Sequence, residues 1–218
     1  PRSWPVLRKT TTFVTKPNPG THSLEECIPL NVLIKDALGL ADSTREVKKL
    51  LKLNNVFVDG VRRNDIKFPV GIMDTVTIRE TGKHYRVIVN KKGKIALTEI
   101  SKDESDIKPC KIVNKSLVKG KIQLNLSDGR NILVEKDDYK TGDTLILKLP
   151  EQAIKEHIKI GKDVVVFLTK GKHIGETGVV TDISGRRTKY KMPNGDVVET
   201  STDYVLVIGK DKPAIKIE

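Results

Sequence analysis

The chain has 218 residues, of which 37% are hydrophobic and only 4% aromatic, and this excludes one large aromatic-rich core in favour of several small aliphatic units. Lys and Arg (40) outnumber Asp and Glu (28), and the resulting net charge of +12 indicates nucleic acid or an anionic membrane as the partner. No apolar run approaches the roughly 20 residues of a spanning helix and no secretory signal is visible, so we expect a cytoplasmic protein without a membrane partner.

Residues 1 to 26 do not resemble a domain, because prolines interrupt every helix or central strand that could form there. A disordered tail and an extended basic arm that orders against a partner fit this segment equally well. In the second case the cations would contact RNA phosphates, and Trp4 would be available for packing or for stacking. The predicted contact residues of the arm are Arg2, Trp4, Arg8, Lys9 and Lys16.

Residues 27 to 80 predict two helices followed by a hairpin. Apolar residues from Leu30 to Leu38 recur at the helical spacing i, i+3, i+4, i+7, i+8, and Gly39 stands where a helix usually ends. Ser43 and Glu46 form a capping box that opens the second helix. Asp59-Gly60 then predicts a type I′ turn after a short valine-rich strand.

The second helix carries a basic stripe opposite its apolar side, which contains Val47, Leu50 and Leu51. The cations of the stripe are spaced i, i+3, i+4 and i+7. A stripe of this kind in a strongly basic chain indicates a phosphate backbone as partner, although a solvated surface explains a lone stripe equally well. The predicted phosphate-binding residues are Arg45, Lys48, Lys49 and Lys52, with Arg62 and Arg63 just past the hairpin turn.

From residue 81 onward the pattern is nearly all β, with short alternating strands and Asp-Gly or Asn-Gly turns. We expect a small barrel or sandwich over residues 81 to 158 and an SH3-like barrel of five strands over residues 159 to 218. Cys27 and Cys110 lie too far apart for a local metal or redox motif, so we expect two reduced core residues. The histidines show no ligand spacing, and no metal or cofactor is expected.

Glycines near residues 171 to 178 suggest a nucleotide-binding loop, but the sequence argues against it. No Walker lysine followed by Ser or Thr is present, and a strand follows the loop where a phosphate site would need a helix. We expect instead a turn whose tip presents cations, with more cations on the next hairpin that face the same RNA. The predicted RNA-binding residues of this region are Lys170, Lys172, His173, Arg186, Arg187, Lys189 and Lys191.

Two segments resemble known RNA-binding units. Residues 161 to 180 are similar to a KOW motif, a strand–loop–strand unit of ribosomal proteins and elongation factors. Residues 27 to 80 resemble the alpha-L RNA-binding domain, whose V-x-V-D-G-x-x-R signature falls here on Val56, Val58, Asp59, Gly60 and Arg63. Their order, with ECIPL at 26 to 30 and VIGKDKP at 207 to 213, resembles the "four-e" family of archaeal and eukaryotic small-subunit ribosomal proteins.

The resemblance covers essentially the whole chain, apart from a basic N-terminal extension of the family that has no counterpart here. It implies an α+β, mostly β protein that binds the 5′ domain of small-subunit rRNA as a structural constituent of the ribosome. Its partners would be that rRNA and neighbouring small-subunit proteins, with no enzymatic activity, cofactor or small-molecule substrate. An elongation-factor-like regulator and an RNA-modifying enzyme with an appended alpha-L domain are the alternatives, but each needs a further domain that we do not identify.

Overall fold

The computed structural model describes residues 1–7, 9, 12–53, 55–210 and 212–217. The chain divides into two compact units. The first comprises Pro1–Lys108, Leu149–Glu151 and Ile217–Glu218, and the second comprises Pro109–Lys148 and Gln152–Lys216. Strands dominate both units and the helices are short, so the predicted α+β, mostly β class is confirmed. No described helix is both long enough and apolar enough to cross a bilayer.

The first unit combines short helices with two antiparallel sheets. Its strands are β1 (Cys27–Pro29), β2 (Val56–Val58), β3 (Val61–Arg62), β4 (Pro69–Gly71), β5 (Thr75–Ile78), β6 (Lys83–Val89) and β7 (Ile95–Ile100). Its helices are α1 (Leu30–Val32), which continues as a π-helix over Leu33–Ala37, α2 (Thr44–Lys52) and α3 (Lys102–Ser105). Strand β1 pairs with β4, and the other strands form one sheet in the order β3-β2-β5-β6-β7.

Both predicted helices are confirmed. The second part of the first helix is a π-helix, which is wider than the predicted α-helix. Leu38 donates its backbone N–H to Leu33 O, five residues back, at 3.0 Å. Gly39 follows with φ +63°, the left-handed conformation expected at a helix end. In the capping box of α2, Ser43 Oγ accepts from Glu46 N at 3.3 Å and Glu46 accepts from Asp42 N at 2.9 Å, which lowers the pKa of Glu46.

The strand pairing continues across the predicted domain boundary at residue 81. Strand β5 pairs with β6, with Thr75 opposite Arg86, and β6 pairs in turn with β7. Residues 83 to 100 therefore extend the sheet that begins at Val56, and no new sheet starts at residue 81. The alternating pattern shows where strands lie, but it does not show which strand each one pairs with.

The second unit contains two antiparallel sheets. The first has the order β10-β9-β8-β11-β12, formed by β8 (Ile107–Val118), β9 (Lys121–Leu126), β10 (Asn131–Val134), β11 (Thr144–Lys148) and β12 (Ala153–Ile158). The second has the order β16-β15-β14-β13-β17, formed by β13 (Val165–Leu168), β14 (Thr177–Ser184), β15 (Arg187–Lys191), β16 (Val197–Ser201) and β17 (Val205–Gly209). A 3₁₀-helix, Thr202–Tyr204, connects β16 to β17.

Aliphatic side chains and one cysteine form the core of the first of these sheets. Cys110, Ile112, Leu124 and Leu145 are fully buried there, with half-buried side chains packed around them. Cys27 is buried in the first unit, and neither cysteine is in a disulfide. The prediction of two reduced core cysteines is therefore confirmed.

The N-terminal arm is held against the first unit at its start. Trp4 is only 8% exposed, and its indole Nε1–H donates to Cys27 O at 2.7 Å. Beside it, Ile95 N donates to Ser3 O at 2.7 Å. Of the two alternatives for Trp4, the structure shows packing, because its ring lies inside the protein and its only donor is used.

A second attachment lies near the end of the arm. His22 Nε2 lies 3.0 and 3.1 Å from the two carboxylate oxygens of Asp74, and its ring packs so closely on Gly71 that a Cβ there would lie 2.2 Å away. Asn18 N donates to Lys67 O at 2.9 Å. The alternative of a wholly disordered tail is contradicted at these residues.

A buried ion cluster lies beneath this attachment. Lys108 Nζ is 2.7 Å from Asp59 Oδ2 and 2.5 Å from Asp74 Oδ1, and all three side chains are buried. Both carboxylates also accept a hydrogen bond from a backbone N–H group. Thr75 N donates to Asp59 and Gly71 N donates to Asp74, each at 2.9 Å. Asp59 (φ +51°) and Gly60 (φ +74°) also form the predicted turn, so Asp59 has two structural functions.

Arg86 is a further cation enclosed in the first unit. Its side chain is fully buried, and Nη2 donates to the backbone oxygens of Glu104 and Ile107, each at 2.8 Å. Burial lowers its pKa to about 10, which leaves the guanidinium charged at neutral pH. Arg86 therefore fixes the end of α3 and the start of β8.

We predict that Lys108→Met lowers the free energy of unfolding by about 3–5 kcal/mol, because it leaves two buried carboxylates without their counter-ion. The matched control is Lys83→Met, which removes an exposed pair with Glu99 at 3.4 Å and should cost less than about 1 kcal/mol. Urea unfolding of both variants measures the difference. Equal losses would contradict the importance of the buried cluster.

Stability should also depend on pH through Asp74. Burial alone would raise the pKa of this carboxyl, but Lys108 and His22 outweigh it and hold the pKa well below its ordinary value. A lowered folded-state pKa stabilises the protein above the unfolded value of about 4, and that stabilisation is lost as pH falls further. The stability difference between the parent and Asp74→Asn should therefore shrink from pH 7 toward pH 2.5 in urea titrations. A constant difference would refute this.

The single tryptophan provides a direct test of the buried arm. Because Trp4 is packed and hydrogen-bonded, its fluorescence in the free protein should be resistant to acrylamide and should shift to the red only on unfolding. Adding RNA should leave the emission unchanged. Strong quenching by acrylamide that RNA relieves would show instead that Trp4 is an RNA contact.

Candidate nucleic-acid interface

The basic stripe of α2 faces outward. Arg45, Lys48, Lys49 and Lys52 are all exposed, while Val47 on the opposite side is buried. Leu51 is buried as well, but Leu50 is only half-buried. Within the described ranges, none of the four cations forms an ion pair, so their charges are available to an external anion.

The two predicted arginines of the hairpin differ from each other. Arg62 is exposed, and its Nε donates to Asn64 Oδ1 at 3.0 Å. Arg63 is half-buried, with its guanidinium 4.3 Å from the centre of the Phe68 ring. Sequence reasoning missed the exposed Arg79, whose guanidinium lies 5.0 Å from the Phe57 ring. Cation–π contacts hold Arg63 and Arg79 against aromatic rings of the first unit.

The arm adds exposed cations to the first unit. Arg2, Lys9 and Lys16 are exposed, Trp4 is turned inward, and Arg8 lies outside the described residues. The hydrogen bonds of Ser3, Trp4 and Asn18 hold the arm close to the unit. The cations of the first unit are therefore carried by an attached arm, one helix and one hairpin.

In the second unit, the loop between β13 and β14 presents Lys170 and Lys172 to solvent. The loop is closed by Gly175 N, which donates to Leu168 O at 2.8 Å, and Gly171 and Gly175 have positive φ. His173 is half-buried, with Nδ1 3.0 Å from Glu176 Oε2. Strand β14 follows the loop as predicted, so the loop has no helix N-terminus for a nucleotide phosphate.

The hairpin of β14 and β15 presents the other predicted cations. Arg187, Lys189 and Lys191 are exposed along β15, where they alternate with the buried Thr188 and Tyr190. Arg187 Nη1 lies 3.0 Å from Glu199 Oε1 on β16. Arg186, also exposed, lies in the turn before β15. One face of this strand is therefore continuously basic.

The 3₁₀-helix Thr202–Tyr204, which we name the bridging turn, connects these two basic segments. On one side, Thr202 N donates to Arg186 O at 2.9 Å. On the other side, Tyr204 O accepts from Thr169 N at 2.9 Å and from Thr169 Oγ1 at 3.1 Å. The loop and the hairpin are thus hydrogen-bonded to the same three residues.

A lysine that sequence reasoning missed holds the bridging turn. Lys111 Nζ donates to the backbone oxygens of Thr202 at 2.7 Å, Asp203 at 3.1 Å and Val205 at 2.9 Å. Burial lowers the pKa of Lys111 to about 8, opposed by the charge of Asp203, so the ammonium keeps its three protons at neutral pH. Nothing in the local sequence distinguishes this residue from a surface lysine on a strand.

Two family models match the chain. Residues 81–154 match the Ribosomal family S4e, and residues 28–76 match the S4 domain. The small ribosomal subunit protein eS4 of Methanocella arvoryzae is 44% identical over 223 residues, which cover 99% of this chain and 94% of the relative. The eS4 of Methanothermobacter thermautotrophicus is 42% identical over 226 residues, which cover 100% of this chain and 92% of the relative.

A solved structure agrees with these matches. The crystal structure of the 30S ribosomal protein S4e from Thermoplasma acidophilum superposes with a TM-score of 0.74 at 31% identity, and the match covers 85% of this chain and 96% of that one. Similarity at this level over nearly the whole length of both chains confirms the resemblance to the "four-e" family. The chain belongs to the ribosomal protein S4e family.

Proposed function

We propose that this protein is a structural constituent of the small ribosomal subunit that binds the 5′ domain of small-subunit rRNA during assembly and translation. Membership of the S4e family, a non-enzymatic structural component of the ribosome, supports the ribosomal part of the proposal. The S4-domain match over residues 28–76 includes the whole of α2. The protein is accordingly ribosome-associated and contacts neighbouring small-subunit proteins.

The basic stripe of α2 is the observation that carries the RNA contact. Its four cations are exposed on consecutive turns of one helix face, and none is neutralised by a described acid. Such a row of exposed cations is typical of a surface that neutralises phosphates of a nucleic-acid backbone. Because a single helix positions all four side chains, binding requires no rearrangement of the unit.

The two basic segments of the second unit form a second contact in this proposal. Lys170 and Lys172 lie on one side of the bridging turn, and Arg186 and Arg187 lie on the other. Their backbones are connected through three residues, so a single RNA segment can reach both. His173 is a weaker candidate because Glu176 already engages its ring.

The salt dependence of binding tests the stripe. We predict that Lys48→Ala with Lys49→Ala lowers the slope of log affinity against log salt by about 1.5–2, because two fewer counter-ions are released from the RNA. The probe is a transcript of small-subunit rRNA, titrated between about 50 and 200 mM salt. An unchanged slope would identify the stripe as a solvated surface.

The matched control is Lys91→Ala with Lys92→Ala, two exposed lysines in the turn between β6 and β7. This variant loses the same net charge from the same unit, but no predicted contact. Its slope should stay close to that of the parent. A loss equal to that of the helix variant would show that overall charge, and not the stripe, determines binding.

A further inference from the structure

Tyr204 is an exposed aromatic residue in a part of the surface that is otherwise basic. Its side chain is 37% exposed, whereas Phe167 and Tyr190 of the same unit are fully buried. Aromatic residues are scarce in this chain, at 4%, so an exposed ring beside predicted RNA contacts is a specific feature. Aromatic faces at RNA-binding surfaces usually stack on bases.

The ring lies directly against the basic loop. A Cβ on Gly171 would lie 3.3 Å from Tyr204 Cδ2 and 3.6 Å from Cε2, so the backbone of Gly171 approaches the ring closely. Lys170 and Lys172 are the chain neighbours of Gly171, and both are exposed. The ring therefore lies beside the backbone segment that carries two exposed lysines, and these can hold the phosphates of a nucleotide at the ring.

The backbone that carries the ring is fixed before any ligand binds. Lys111 holds the carbonyl oxygens on both sides of Tyr204, and Thr169 holds the carbonyl oxygen of Tyr204 itself. Ser201 Oγ also accepts from Asp203 N at 3.4 Å at the start of the turn. A stacking platform held in this way loses little conformational entropy on binding.

The charges around the ring favour a polyanion. Arg186 and Arg187 lie on the other side of the bridging turn, and Arg187 is partly compensated by Glu199. Asp203, next to Tyr204, is the exposed acid of the turn. Cations still exceed acids on this surface. An RNA segment therefore fits the surroundings of Tyr204 better than an apolar partner does.

We propose that Tyr204 stacks on an unpaired base of small-subunit rRNA while Lys170 and Lys172 contact the phosphates that flank it. The base must be unpaired, because the faces of bases within an A-form helix are covered by their neighbours. The contact therefore requires a loop, a bulge or a strand end. This proposal rests on the proposed function and specifies the kind of RNA element that the second unit binds.

Affinity for a transcript of small-subunit rRNA, measured over a salt series, tests the proposal. Tyr204→Leu should bind about tenfold more weakly with an unchanged salt slope, because stacking releases no counter-ion. Tyr204→Phe keeps the ring and should bind within about twofold of the parent. Lys170→Ala with Lys172→Ala should instead lower the slope by about 1.5–2.

Leu117→Ala is the control, since Leu117 is also exposed, at 75%, and lies in the same unit on β8, outside the predicted contacts. It should leave affinity unchanged, and urea midpoints should show that Tyr204→Leu remains folded. Ultraviolet crosslinking followed by peptide mapping should join Tyr204 to a nucleotide in a loop or bulge. If the parent binds the transcript normally and Tyr204→Leu binds equally well, stacking is refuted and the proposed function stands. If the parent shows no saturable binding, both fail.

Discussion

The first unit depends on the placement of one ammonium group between two buried carboxylates. Asp59 belongs to the β2–β3 turn and Asp74 lies just before β5, so both carboxylates would repel each other and be poorly solvated without Lys108. His22 binds Asp74 from the arm, which extends the same cluster to the N-terminal segment. The hairpin that follows the basic helix and the arm that carries further cations are thereby fixed by one set of charges. The proposed phosphate-binding surface is in this sense organised by a buried ion cluster.

The cations of this chain fall into two groups with different functions. Lys108, Arg86 and Lys111 are directed inward, where carboxylates or backbone oxygens accept hydrogen bonds from them. The four exposed cations of the α2 stripe form no ion pair within the described residues. Net charge counts both groups alike, so a charge of +12 overstates what is available to RNA. Fixed inward cations hold the turns, and outward cations are then presented from a rigid backbone.

Local patterns in the sequence predicted the features that depend on neighbouring residues. The capping box of α2, its basic stripe and the turn at Asp59–Gly60 each follow from residues within one or two turns of each other. The contact of Trp4 with Cys27, the pairing of β5 with β6 and the partners of Lys108 were not predictable in this way. Each depends on where a distant segment packs, and a lysine or tryptophan has the same local pattern whether it is buried or exposed. The spacing predicts the interface residues, but it does not predict the distant contacts that hold the surrounding elements in place.

Trp4 and Tyr204 show that the local sequence does not indicate which aromatic ring is exposed. Trp4 lies in a proline-rich basic arm, where an aromatic residue could stack on RNA. Its indole N–H instead donates to a backbone oxygen inside the protein. Tyr204 lies in a short turn with no notable pattern, yet its ring is partly exposed beside the backbone of Gly171 and its own backbone is fixed by Lys111. Phosphate contacts weaken as salt rises, whereas stacking is largely independent of salt. If both proposed contacts form, part of the affinity therefore persists when ions screen the helix stripe, and that part comes from the unit whose turn Lys111 holds.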